Sequence, residues 1–481
     1  MVPCGEECQW ARGTSKTKRR KARLANSLRS KHWIEDWRPE NAEFWQSQGK
    51  RIAWRNLWWS ILAENIGFSV WLIWSVVATR LTAAGFPYTT DQLFQLVALP
   101  GLVGAFMRLP YTLAVPKFGG RNWTIVSALL LLLPTLSLIL LVQDPSTPFW
   151  LMALAAASAG FGGGNFASSM ANISHFFPDK EKGFALGLNA AGGNIGVSTV
   201  QLLVPIVVGV SLFGAAPGSG GIPKLHLENA GLIWIPLILL SVVGAVFGME
   251  NLSSARANVK DQIAVTRRAH TWLLSFLYVG SFGSFVGFSA ALPLLIKTQF
   301  PEVTTNFAFV GALVGSVARP LGGKIADRVG GARLTFVNFI VMAVIALGLL
   351  WAIQQHSFAL FMGAFFLLFM TTGFGNGSTF RMIPSTFQKL HLEAAQRAGG
   401  DRDTALARAR RETAAVIGLA SAIGALGGYF VPRGFGASIR ATGGIGTAVY
   451  CLLVFYVASM AVTGIFYLRP QRASTLAKSE A

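Results

Sequence analysis

Long apolar runs broken by short polar segments fill the chain from about residue 57 onward. Ile125–Leu141, Ala230–Val246 and Leu334–Ile353 are each long enough to cross a bilayer as a helix. The runs are continuous and lack period-two alternation, which excludes barrel strands. Hydrocarbon also demands backbones satisfied within each segment, which helices provide. Twelve spans are expected, near 57–79, 92–117, 123–143, 148–177, 183–212, 229–249, 271–296, 304–323, 333–354, 358–384, 412–431 and 442–468. A polar, basic and aromatic segment, 1–56, precedes them and lacks the apolar stretch of a signal peptide. The connector 250–270 divides a six-helix half, 57–249, from a second, 271–468. A charged, Ala-rich insertion at 389–411 predicts a short helix outside the bilayer, and 469–481 form a closing tail. Trp58, Trp59, Trp71 and Trp74 bracket the first span as interfacial anchors would.

Composition agrees with an all-α membrane protein. Residues are 52% hydrophobic and 13% charged, whereas soluble domains carry about 25% charged residues. The formal charge of +20 would suit nucleic acid if it formed one patch. Instead Lys and Arg crowd residues 1–55, 179–182, 256–268, 324–333, 389–411 and the tail. The alternate loops hold only Arg80, Lys224, Lys297, Arg433 and Arg440. That asymmetry places both termini in the cytoplasm and argues for a lipid bilayer, not nucleic acid, as the partner. The Lys16–Lys21 arm reads as a solvated tail or a contact for anionic headgroups. Cys4, Cys8 and Cys451 make no disulfide framework, and no further ligands accompany Cys4 and Cys8, so no metal is expected. No nucleotide-binding loop or catalytic-triad spacing is present, so neither an enzyme nor a cofactor is expected.

Two arginines interrupt the apolar pattern. Arg108 lies within 93–115 and Arg319 within 307–323. A charge at mid-bilayer costs about 2.5–3.5 kcal/mol on insertion scales. Each has a basic residue nine positions on, Lys117 or Arg328, about 14 Å along a helix, which is too deep to snorkel easily. The two occupy equivalent places in a repeat with an offset of 211. Gly119-Gly120 and Thr124 match Gly330-Gly331 and Thr335, and Gly164-Asn165 matches Gly375-Asn376. A duplicated transporter half with one anion ligand from each copy follows. Guanidinium suits a planar anion, because its flat fork engages two oxygens at once.

Glycines crowd the fourth, fifth and eleventh spans. Gly164, Gly187, Gly192, Gly193 and Gly196 in one half, with Gly418, Gly424 and Gly427 in the other, predict close helix packing that permits rocking. Asn189 and Asn194 face alanines, Ala420 and Ala425, in the repeat, and suit an interhelical hydrogen bond or an anion ligand. Tyr278 and Phe282 share a helix face, and with Phe166 and Phe285 they pack the core or wall a flat anion. Glu64 is the one carboxylate placed within a span; it could carry a proton, pair with an arginine, or face the cytoplasmic vestibule. Two buried cations without counter-charge would resist closure unless an anion is bound, which predicts obligate exchange without a proton.

Twelve spans, the duplication, and the Gly-x-x-x-Asp-Arg-x-Gly loop from Gly323 to Gly330 together indicate the major facilitator fold, two pseudo-symmetric six-helix halves. Segments 164–174 (Gly-Asn-Phe-Ala-Ser-Ser-Met-Ala-Asn-Ile-Ser), 187–198 (Gly-Leu-Asn-Ala-Ala-Gly-Gly-Asn-Ile-Gly-Val-Ser), 278–289 and 375–380 (Gly-Asn-Gly-Ser-Thr-Phe) resemble the NarK-type nitrate/nitrite porters of bacteria. So do 37–40, 44–45, 55–58, 90–94 and 118–121, and the likeness runs from about 37 to 467. The resemblance implies nitrate import exchanged for nitrite, a bacterial cytoplasmic-membrane location and a monomer. It implies that Arg108 and Arg319 are the substrate arginines and that Tyr278, Phe282, Phe166, Asn189 and Ser421 line the pocket. Glu64 and Arg381 stand where the resemblance leads one to expect neutral residues, which leaves proton-coupled nitrate symport open. The extension before Trp37 lies outside the pattern, and a sensor reporting an anion through its basic tail is the reading from a different class.

Overall fold

The computed structural model describes residues 33–210, 225–255 and 264–469. Cys4, Cys8, Lys16–Lys21 and Lys224 lie outside those residues, as do the middle of the 250–270 connector and nearly all of the tail. The helical spans are α1 (Ala42–Leu81), α2 (Thr90–Phe118), α3 (Gly120–Leu141), α4 (149–176), α5 (Asp179–Val207), α6 (Asn229–Gly248), α7 (Ala269–Gln299), α8 (Ala308–Val329), α9 (Gly331–Gln354), α10 (Phe358–Ala398), α11 (Arg402–Thr442) and α12 (Gly446–Leu468). Ten of them are long and apolar enough by themselves to cross a membrane. The other two are α4, which breaks at Ala159 and Gly160, and α8, whose apolar run carries Arg319 and Lys324.

The repeat is visible in the backbone. Gly119 ends α2 at φ +86°, and Gly330 ends α8 at φ +92°. Each also opens the next helix, so one residue in left-handed backbone turns the chain between two spans in both halves.

Four features differ from the expected pattern. First, α1 starts at Ala42 rather than near 57, with the Asn41 side chain accepting from the Phe44 N–H (2.9 Å). Lys50 and Arg51 lower the local hydropathy, yet Trp45 is buried among Phe177 and its neighbours, so the last part of the 1–56 segment is helix. Second, Trp33–Ile34 pairs in parallel with Asn251–Leu252, a two-residue sheet tying the start of the described chain to the end of the first half. Third, Trp71 and Trp74 are 1% and 0% exposed, so they are core residues and not interfacial anchors; Trp58, at 57%, does face outward. Fourth, residues 389–411 form no separate helix. They prolong α10 and α11, which meet at Gly399 (φ +64°), with Asp401 capping the latter.

The two halves meet on both faces. On the face opposite the chain ends, Asp91 pairs with Arg433 (3.2 Å) and Arg440 (3.1 Å). A capping box, Thr89 with Gln92, sets Asp91 in the first turn of α2. Deeper on that side the Gly101 and Gly428 backbones touch, and Gln201 Nε2 donates to the Ser289 carbonyl (2.6 Å). On the face bearing the chain ends, Arg410 reaches Asp179 (2.7 Å). Asp91→Asn is expected to loosen the far face by about 1 kcal/mol, the upper range for partly exposed pairs. Faster amide hydrogen exchange in the first turns of α2 and the last turns of α11, with the rest unchanged, would register it.

Candidate functional site

Arg108 on α2 is 0% exposed and Arg319 on α8 is 5% exposed. The Gly-rich stretch of α4 brings backbone close enough to hold the first: Arg108 Nε donates to the Gly163 carbonyl (3.0 Å). Arg108 Nη1 crosses to the other half and donates to the Ser421 carbonyl on α11 (2.9 Å). Arg319 Nη2 donates to the Tyr278 hydroxyl (3.3 Å). Arg108 Nη2 and Arg319 Nη1 are buried without a hydrogen-bond partner. Leaving a charged donor unpaired inside a protein is costly, and both nitrogens keep a hydrogen bond to give.

Both guanidiniums lie over one aromatic pair. Arg108 Cζ is 4.8 Å from the Phe166 ring centre and 4.9 Å from that of Phe282, and the Arg319 distances are 5.3 and 6.0 Å. Cation–π attraction at such distances holds each plane in place. A π-helical turn, Val279–Gly283, follows Tyr278 and sets it against Phe282, with rings 5.2 Å apart and 17° from parallel. Phe166 and Phe282 are 5.9 Å apart, an offset stack and not an open slot. Trp71 (5.3 Å from Arg108) and Phe380 (5.5 Å from Arg319) complete the aromatic surround. The sequence pattern does not place these two beside the arginines, because hydropathy does not say which face of a span an aromatic takes.

Glu64 does not face a vestibule. It is 0% exposed, midway along α1 and packed against α4 and α5. Ser169 Oγ and Asn189 Nδ2 (2.7 Å) both donate to its Oε2, and among the described residues it makes no ion pair with either arginine. Asn189 spends its amide donors on Glu64, on Ser169 Oγ (2.9 Å) and on Met170 Sδ (3.6 Å), so here it serves the carboxylate. Asn194 is also fully buried, with neither amide atom bonded. Ser421 meets Arg108 through its carbonyl, since its hydroxyl donates to the Gly418 carbonyl (2.8 Å).

Most of the selected glycines sit at close approaches. A Cβ at Gly164 would meet the Tyr111 ring (2.7 Å), at Gly192 Ile61 (2.5 Å), at Gly418 Thr112 (3.1 Å) and at Gly424 Tyr278 (2.6 Å). At Gly193 it would strike the Glu64 carboxylate, at Gly196 the Asn65 carbonyl and at Gly427 the Gly283 backbone. Gly187 is the exception: nothing lies within 4 Å, so it is no packing position. Arg381 pairs with Asp327 of the loop motif, within its own half.

The family model described as Major Facilitator Superfamily matches residues 60–400. The chain is 44% identical to the nitrate/nitrite transporter NarU of Escherichia coli (strain K12), over 93% of its own length and 98% of that protein's. It is 37% identical to the probable nitrate/nitrite antiporter NarK2 of Thermus thermophilus, over 91% and 97%. The chain belongs to the NarK-type nitrate/nitrite porters of the major facilitator superfamily. Solved structures of that fold superpose on this porter. The xylose transporter XylE, partially occluded and inward open, gives a TM-score of 0.63 at 12% identity, covering 86% of this chain and 99% of that one. An inward-facing, occupied bacterial homologue of the human lysosomal transporter Spinster gives 0.62 at 14%, covering 88% and 96%. This porter is thus a multi-pass membrane transporter and not an enzyme.

Tyr278→Phe removes the single hydrogen bond that orients the Arg319 guanidinium. One such bond contributes about 0.5–1.5 kcal/mol, so nitrate binding is expected to weaken about two- to tenfold. Titration calorimetry on purified protein reads the change directly.

Proposed function

We propose that this porter exchanges nitrate for nitrite across the bacterial cytoplasmic membrane by alternating access, with the anion held between Arg108 and Arg319. The observation that carries the reading is a pair of buried arginines, one from each half, over the same two rings, each with one nitrogen unpartnered. A planar anion accepting from both nitrogens bridges the halves, so its charge is neutralised only when they approach. With the site empty, closing desolvates excess positive charge, and return therefore also needs an anion. The backbone approach of Gly101 on α2 to Gly428 on α11 lets the halves meet there without a side chain between them. The clustering of Lys and Arg supports placing the chain ends in the cytoplasm.

The test uses purified protein in liposomes loaded with nitrite, with nitrate outside, equal pH across the membrane and an uncoupler present. Exchange that stops when the internal anion is omitted is the expected result. Proton-coupled symport is the second reading, favoured by the fully buried Glu64 carboxyl held by Ser169 and Asn189. Uptake into anion-free liposomes that requires an inward proton gradient would establish that alternative.

A further inference from the structure

The two helices that meet at Gln201 each run through a proline, Pro205 in α5 and Pro293 in α7. A proline has no N–H for the carbonyl four residues before it, so the Ser289 carbonyl of α7 loses its helical donor. Inside a membrane a neighbour must satisfy such a carbonyl. Here the neighbour comes from the other half. Gln201 Nε2 on α5 donates to the Ser289 carbonyl (2.6 Å) and lies 3.4 Å from Ser75 Oγ on α1. A carbonyl only accepts, so the nitrogen of the amide is the atom that faces it. Gln201 is 2% exposed and Ser289 1%, so water does not compete for the bond. Pro205 stands four residues after Gln201, so each partner sits where its own helix lacks a ladder bond. The closed seam also carries a cost: Gln201 Oε1 and Ser289 Oγ are buried without partners among the described residues. The Gln201–Ser289 bond works against that cost.

We propose that Gln201 is a latch for the far face, a positioning residue that holds α7 against α5 by supplying the N–H that Pro293 lacks. The inference rests on the alternating-access reading above. With the far face shut, Gln201 satisfies the Ser289 carbonyl. When that face opens, α5 and α7 part and water in the passage takes the place of the amide. Removing the amide leaves the carbonyl unsatisfied in the closed state only, so the balance shifts toward the open one. A latch built on a proline gap has a property that packing lacks: restoring the N–H at 293 makes it superfluous.

The test is a double-mutant cycle of Gln201→Leu and Pro293→Ala in the purified full-length protein. Hydrogen-exchange mass spectrometry in detergent reads opening at residues 289–299, and nitrate–nitrite exchange in liposomes reads turnover. Gln201→Leu is expected to speed amide exchange in 289–299 about tenfold and to slow turnover by about the same factor. Pro293→Ala lets α7 satisfy its own carbonyl, so adding Gln201→Leu to it should change either readout by less than about twofold. An equal loss in both backgrounds overturns the proposal, because Gln201 would then act by packing alone. So does a Gln201→Leu variant that matches the wild type. If Gln201→Leu does not fold, the double variant decides: folding as well as Pro293→Ala alone supports the latch, and failing where Pro293→Ala folds overturns it. The latch and the exchange reading fail separately. Wild-type uptake without a counter-anion would remove obligate exchange and leave the hydrogen-exchange cycle standing, whereas an additive cycle would remove the latch and leave exchange intact.

Discussion

Arg319→Lys eliminates exchange, to below about 1% of the wild-type rate, while the protein stays folded. The lysine keeps the charge, so a site needing only positive potential would survive. What it loses is the planar fork. Arg319 uses one terminal nitrogen on the Tyr278 hydroxyl and leaves the other for a ligand, while its plane lies over Phe166, Phe282 and Phe380. An ammonium is a hydrated point charge that cannot divide its donors this way or stack. A hydrogen bond to a charged group contributes about 1.5–3 kcal/mol, and losing the bond to substrate together with the ring contact accounts for about a hundredfold or more. Initial rates of nitrate–nitrite exchange in liposomes give the value, and detergent-solution chromatography gives the folded fraction. Retention of a tenth of the rate would show that the fork is not what binds. Arg319 is the cleaner choice, since Arg108 also holds Gly163 and Ser421.

Gly101→Ala has the second largest effect, by another route. Its new methyl would stand on the Gly428 carbonyl carbon and oxygen and 2.7 Å from the Tyr429 nitrogen. All three are backbone atoms of α11, in the opposite half, and a helix backbone cannot step aside as a side chain does. Overpacking costs about 1–3 kcal/mol, and here it acts only when the far face is shut. The state with that face closed is thus depopulated, and exchange is expected to fall about tenfold or more, with nitrate affinity changed little. Gly187→Ala is the internal control. It has no neighbour within 4 Å and should exchange at the wild-type rate. Equal rates for the two variants would mean that the Gly101–Gly428 approach plays no part in the cycle.

Much of this was legible in the residues, for identifiable reasons. The offset of 211 paired Gly119 with Gly330 before either backbone angle was known, because a duplicated turn needs the same glycine twice. The arginines stood out because charge is costly in hydrocarbon. What escaped depended on direction and on helix ends. Trp71 read as an interfacial anchor because composition cannot distinguish an indole at the headgroups from one under a guanidinium; it donates to the Pro100 carbonyl (2.7 Å) instead. Hydropathy sets Glu64 too near the end of its span because the basic residues at 50 and 51 mask about four earlier helical turns. Asn189 looked like an anion ligand because a sequence lists an amide without saying what it already holds. The π-helical turn after Tyr278 has no local signature, and it changes which rings stack.

The bond from Arg108 to the Ser421 carbonyl makes one side chain answer to two masters. It belongs to the first half, it keeps one terminal nitrogen free for the proposed anion, and it is also part of the seam with the second half. Linkage then imposes a reciprocity. If docking of the halves supplies Arg108 with an acceptor that a bound anion must share, the halves and the anion adjust each other's affinity by the same factor. A substitution near 421 that moves this carbonyl would therefore change how tightly the anion is held on one side of the membrane relative to the other, without touching the ion itself.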